Sequence, residues 1–145
     1  MIRSFARSAH PVTVALFVAC AVVQVFLAGL GVFDSPKAFV THREFGYMFG
    51  WLTLVILVFA LVGRMPGRLI GLSALILVLF ALQSVFVALR ADMPAIAALH
   101  PLNGFAILLV SSVTFRISWA ARSAPVEAAG MAATSAVGSG VGEPG

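Results

Sequence analysis

Two short segments carry residue types able to do chemistry, and they share a spacing: His42-Arg43-Glu44-Phe45-Gly46 and His100-Pro101-Leu102-Asn103-Gly104. In each, a glycine follows the histidine by four positions. On a helix that glycine lies one turn along and about 40° round, so bare backbone sits beneath each imidazole. A glutamine precedes each motif, Gln24 by 18 positions and Gln83 by 17, and the two histidines are offset by 58. Imidazole is a common ligand for transition metals. Two imidazoles facing each other above glycine surfaces supply what a porphyrin slotted between helices needs: two axial nitrogens and no bulk against the ring. The expected ligand is one haem b, with His42 and His100 on the iron and Gly46 and Gly104 leaving space for the macrocycle.

The neighbouring residues fit that expectation and also admit plainer roles. Arg43, Arg90 and Lys37 are placed to meet propionates, arginine pairing with carboxylates in a bidentate fork. Gln24 and Gln83 are polar groups inside apolar stretches, suited to bonding a propionate, a water or the second nitrogen of a histidine. Phe26, Phe45, Phe86 and Phe105 are candidates to wall the ring. Equally, the glutamines serve as interhelical glue, the glycines permit close packing, and Arg43 with Glu44 forms a solvated pair. His100 before Pro101 suits a helix N-cap. Met48 and Met93 are possible iron ligands that more commonly pack.

The elements that must carry these residues follow from composition. Of the 145 residues 61% are hydrophobic and 10% charged, with mean hydropathy +1.10. A soluble domain carries about 25% charged residues, so this chain cannot clothe a surface facing water. Uncharged runs span 8–33, 45–63, 69–89 and 93–115, that is 26, 19, 21 and 23 residues. About 20 suffice to cross a bilayer core of roughly 30 Å as a helix. Unpaired strands are excluded from lipid and no alternating pattern indicates a barrel. The expected fold is therefore all-α: an integral membrane four-helix up-and-down bundle with spans about 12–32, 44–63, 69–89 and 99–119. Each half of residues 1–122 is a helical hairpin, and an even number of spans per unit makes the two copies parallel repeats.

Arg3, Arg7, Arg64, Arg68, Arg116 and Arg122 fall on one side of these spans, and Lys37, Arg43 and Arg90 on the other. The positive-inside bias puts both termini in the cytoplasm of a bacterial inner membrane and the short loops 34–42 and 90–100 outside. Met1–Gly31 has a charged start and an apolar core like a signal peptide, but its length favours a retained first span. Residues 123–145, rich in Ala, Gly and Ser, read as a disordered cytoplasmic tail. The single Cys20 excludes an internal disulfide. The net charge of +4 is spread over span ends, which points to orientation in a bilayer and away from nucleic acid.

Several activities are disfavoured. The spans hold no glycine-rich phosphate loop, no Ser/His/Asp grouping and no carboxylate in the uncharged runs, against hydrolysis and against ion-coupled transport. On VQVFLAGLGVF at the end of the first span, then HREFGY, GRLIGL and LHPLNG, the chain resembles a family of small bacterial four-span membrane proteins of unknown function, over roughly residues 12 to 119. It also resembles, at the level of fold, one half of haem A synthase, whose two histidine ligands come from the outer ends of its second and fourth helices. That resemblance implies ligation by His42 and His100. The synthase's acidic residue ahead of its first histidine is unmatched, since Thr41 precedes His42 and Glu44 follows it.

Three functions stay open from the sequence. The first is a haem b protein in electron transfer or redox sensing, exchanging electrons with quinol or another membrane redox protein. The second is a non-enzymatic accessory or assembly protein without cofactor. The third, a small-solute carrier, is disfavoured by the lack of any buried charge to mark a path. Oligomeric state and turnover are not legible.

Overall fold

In the computed structural model the described residues are 1–139, with side chains through 122. They form helices α1 (Ile2–Phe33), α2 (Ala38–Val62), α3 (Gly67–Ala88), the single turn α4 (Pro94–Ala97) and α5 (Leu99–Ser139), with no strand among them. Four of these segments, Ile2–Phe33, Ala38–Val62, Gly67–Ala88 and Pro94–Arg122, are long and apolar enough to cross a membrane. The chain is a multi-pass all-α membrane protein. The tail expected over 123–145 falls beyond the described side chains.

The helices run further than the uncharged runs. α1 takes in Arg3 and Arg7, and α2 takes in Arg43 and Glu44. Charged residues mark where the chain meets the bilayer surface, but Arg and Glu are good helix formers and a helix continues through them into water. The loops shrink accordingly. α1 closes where the Asp34 and Ser35 amides both donate to the Leu30 carbonyl, each at 3.0 Å.

α1 packs against α2 and α5, and α3 packs against the same two, so α2 and α5 stand on a diagonal across the bundle. The α2–α3 turn lies at the end of the bundle that also holds Arg7; there Arg64 adopts φ 46° and the Met65 amide returns to the Ala60 carbonyl at 3.0 Å. Arg7 from α1 donates its Nε to the Gly63 carbonyl at 2.8 Å. This basic end and the opposite, histidine end are the two poles of the molecule.

The interior is mixed and the exterior apolar, as lipid solvent requires. Val14, Phe17, Phe49, Ile56, Ile76 and Ile107 form the central cluster, with the Phe17, Phe49 and Phe80 rings in mutual contact. Yet His10, Thr53, Ser73, Ser111, Thr114 and Ser118 are also buried, while Phe26, Trp51 and Leu109 are more than 60% exposed. Lipid accepts large apolar side chains at no cost. The inward positions go to small and hydroxyl residues that let helices approach and bond. Thr53, Ser73 and Thr114 send their hydroxyl protons to carbonyls of their own helices at 2.7 Å.

Candidate functional site

His42 lies in the second turn of α2 and His100 in the first turn of α5, two diagonal helices, and the two side chains converge at one pole. Their ring centroids are 6.2 Å apart with an interplanar angle of 66°. Both rings are half-buried.

Each ring is held by the helix preceding it in its own hairpin. His42 Nδ1 donates to the Gln24 carbonyl at 3.1 Å, and His100 Nδ1 makes a longer contact of 3.4 Å with the Gln83 carbonyl. A carbonyl only accepts, so each Nδ1 carries a proton, and in the neutral tautomer Nε2 presents the lone pair. Bonding the second histidine nitrogen was one of three roles the sequence offered the glutamine side chains; here the backbone oxygens of those residues meet the rings.

The glutamine side chains instead lie over the glycines. A Cβ on Gly46 would stand 2.7 Å from Gln24 Nε2, and one on Gly104 would stand 3.3 Å from Gln83 Nε2. Gln24 Nε2 donates to the His42 carbonyl at 2.8 Å. Thus Gln24, His42 and Gly46 form one unit, and Gln83, His100 and Gly104 form its repeat.

The copies differ in one respect. Asn103 donates to Gln83 Oε1 at 2.8 Å and occupies the repeat position of Phe45. A phenyl ring cannot donate, and Gln24 Oε1 is left buried with no hydrogen-bond partner.

The remaining expected residues are placed as follows. Arg43 is engaged with Glu44 at 2.7 Å, both side chains being about 60% exposed, and Arg90 donates to the Val87 carbonyl at the end of α3. Phe45 packs on Phe49, Phe26 and Phe105 face outward, and Met48 and Met93 are exposed. His100 lies inside the first turn of α5, one residue past its start, while Pro94 opens α4.

Sequence reasoning passed over two features. Phe39 packs edge-on against His42 at 6.4 Å, and its ring lies where a Cβ on Gly31 would be. His10, deep in α1 near the basic end, bonds Ser118 Oγ through Nδ1 at 2.8 Å and Ser73 Oγ through Nε2 at 3.1 Å. A histidine within an apolar run is a signal by itself, whereas its serine partners on α3 and α5 cannot be read from spacing.

The two imidazoles stand without further metal-type ligands: among the described residues no group of three or more His, Cys, Asp or Glu converges. A bare transition ion takes three or four protein donors. Two imidazoles fall short of that number.

A model of a family of unknown function, DUF6220, matches residues 24–90. The matched stretch begins at Gln24 and ends at Arg90, so it contains the first unit of the site and Gln83 but not His100 or Gly104. Among curated proteins and among solved structures, nothing matches the chain.

Proposed function

We propose that this membrane protein binds one haem b through His42 and His100 and acts in electron transfer or redox sensing near the histidine end. The observation that carries the reading is the ring pair itself. The two rings, with centroids 6.2 Å apart, are close enough that one metal ion would reach a nitrogen of each. Both Nδ1 atoms are already turned to carbonyls, the arrangement that fixes a ligating tautomer and raises ligand basicity.

Bound there, the haem supplies one-electron chemistry. The chain's own groups do the rest. His42 and His100 would hold the iron, and the Gln24 and Gln83 carbonyls orient the rings. The amide tips of Gln24 and Gln83 cover the two glycines, so room for the macrocycle requires them to turn aside. Arg43 and Arg90 lie near the same pole and are exposed; a propionate would take the place of the Glu44 carboxylate on Arg43 and of the Val87 carbonyl on Arg90. The positive-inside bias places this pole outside the cytoplasm, which fits exchange with a membrane quinol or a neighbouring redox protein.

The test is an absorption spectrum of detergent-purified protein expressed with ample haem. A Soret band, lost in His42→Ala and in His100→Ala, is the expected result. Colourless protein overturns the reading.

A second reading, a cofactor-free accessory subunit, is favoured by one observation: the glutamine amides already explain both glycines as packing. It predicts that His42→Ala lowers stability modestly with no spectral change, and that a partner subunit co-purifies.

A further inference from the structure

At the basic end, a cleft between α3 and α5 of about 350 Å³ is lined by Arg68, Val113, Arg116, Ile117 and Ala120. Its composition divides by chemistry. Two arginines from different helices line the cleft together with an apolar wall, formed by Val113 and Ile117 one turn apart on the same face of α5.

Two of the other basic residues around this pole are occupied. Arg7 is bonded to the Gly63 carbonyl and Arg122 lies over the Trp119 ring at 5.3 Å. Arg68 and Arg116 are exposed, and among the described residues the one ion pair is Arg43 with Glu44 at the other pole. Among residues 1–122, whose side chains are described, the carboxylates Asp34, Glu44 and Asp92 all lie toward the histidine end. Arg68 also sits in the first turn of α3, whose N-cap Pro66 makes no side-chain capping bond. The positive end of the helix dipole therefore adds to the two guanidinium charges.

We propose that this cleft is a binding site for an anionic phospholipid. The headgroup phosphate sits on Arg68 and Arg116, and the start of one acyl chain lies along Val113 and Ile117. Arginine matches phosphate with paired hydrogen bonds, and basic pockets between membrane helices at headgroup depth suit this chemistry. A free phosphate would use the arginines but gain nothing from the apolar wall. The cleft volume lies at the small end of ligand cavities, about 300–1,000 Å³, which is enough for a phosphoglycerol head with the chains left in the bilayer. The site is independent of the histidine pair and stands or falls separately from it.

The test uses full-length protein in phosphatidylcholine micelles or nanodiscs titrated with phosphatidylglycerol, with retained lipid counted by native mass spectrometry. The expected result is one saturable phosphatidylglycerol per chain. Arg68→Gln and Arg116→Gln should each weaken retention about 5-fold, the effect of one basic residue at the membrane surface. Arg68→Lys should retain part of the binding, and Arg3→Gln, which removes equal charge from outside the cleft, should retain all of it. Helical circular dichroism of each variant checks that the fold persists. Equal retention of phosphatidylcholine and phosphatidylglycerol overturns the proposal. So does an equal loss in Arg3→Gln, which reveals diffuse charge attraction, and so does displacement of the lipid by millimolar inorganic phosphate, which reveals a free-anion site.

Discussion

The amide nitrogen of Gln24 occupies the place that a side chain on Gly46 would take, 2.7 Å from its Cβ position. This gives the repeated glycine a packing role beside the cofactor space that the sequence offers. The colliding atom is the end of a flexible side chain, so the cost of a Cβ lies mainly in the Gln24 bond to the His42 carbonyl at 2.8 Å. Gly46→Ala should therefore destabilise by about 1 kcal/mol, one hydrogen bond. Gly104→Ala, facing a looser 3.3 Å approach, should cost less. In a thermal-melt double-mutant cycle, Gln24→Ala should absorb most of the Gly46→Ala penalty. Additive penalties would show that the two residues do not compete for space.

Gly31 offers the contrast. A Cβ there meets the Phe39 ring at 2.7 Å, and a ring cannot bend away as an amide tip can. Gly31→Ala should cost about 1–3 kcal/mol, the usual penalty of overpacking. Because Phe39 backs His42, the same variant should broaden or shift any spectrum that depends on the His42 ring. A melt unchanged from the parent would contradict this.

His10 ties three helices together. Ser73 gives its proton to the Leu69 carbonyl at 2.7 Å, so His10 Nε2 must donate to Ser73 and Nδ1 must accept from Ser118. The neutral imidazole completes this network with every proton placed. His10→Ala removes a fully buried side chain and leaves Ser118 without its acceptor, and should cost about 2–5 kcal/mol. Detergent melts measure the loss. Since the site lies at the pole opposite His42 and His100, the absorption spectrum should not change, which separates structural histidine from ligating histidine.

Arg7 pins the α2–α3 turn through two carbonyls, Gly63 at 2.8 Å and Arg64 at 3.4 Å. Arg7→Gln should loosen that turn by about 1–2 kcal/mol, consistent with lost bonds to a charged donor. Hydrogen exchange should rise at residues 63–69 and stay constant at the histidine end. Uniform protection across both poles would count against this local role.

Topology is open to labelling. In a Cys20→Ser background, Asp92→Cys should react with a membrane-impermeant maleimide added to intact cells, and Gly67→Cys should react only after permeabilisation. The reverse pattern would invert the orientation inferred from the arginines.

Four long apolar runs, their length against the bilayer and the scarcity of charge determined an all-α membrane bundle from the sequence alone, because lipid leaves the backbone few alternatives. The repeated His-x-x-x-Gly likewise announced two equivalent histidines on equivalent helices. What periodicity cannot encode is which helix faces which. The diagonal placement of α2 and α5 brought the two imidazoles together. The same packing gave their Nδ1 protons to backbone carbonyls rather than to glutamine side chains, and filled the space above each glycine with an amide. Helix ends also escaped the sequence, since charge marks the water boundary and not the end of hydrogen bonding. The partners of His10 and the arginine-lined cleft arise from contacts between residues far apart in the chain, and only the tertiary structure, which decides those distances, could show them.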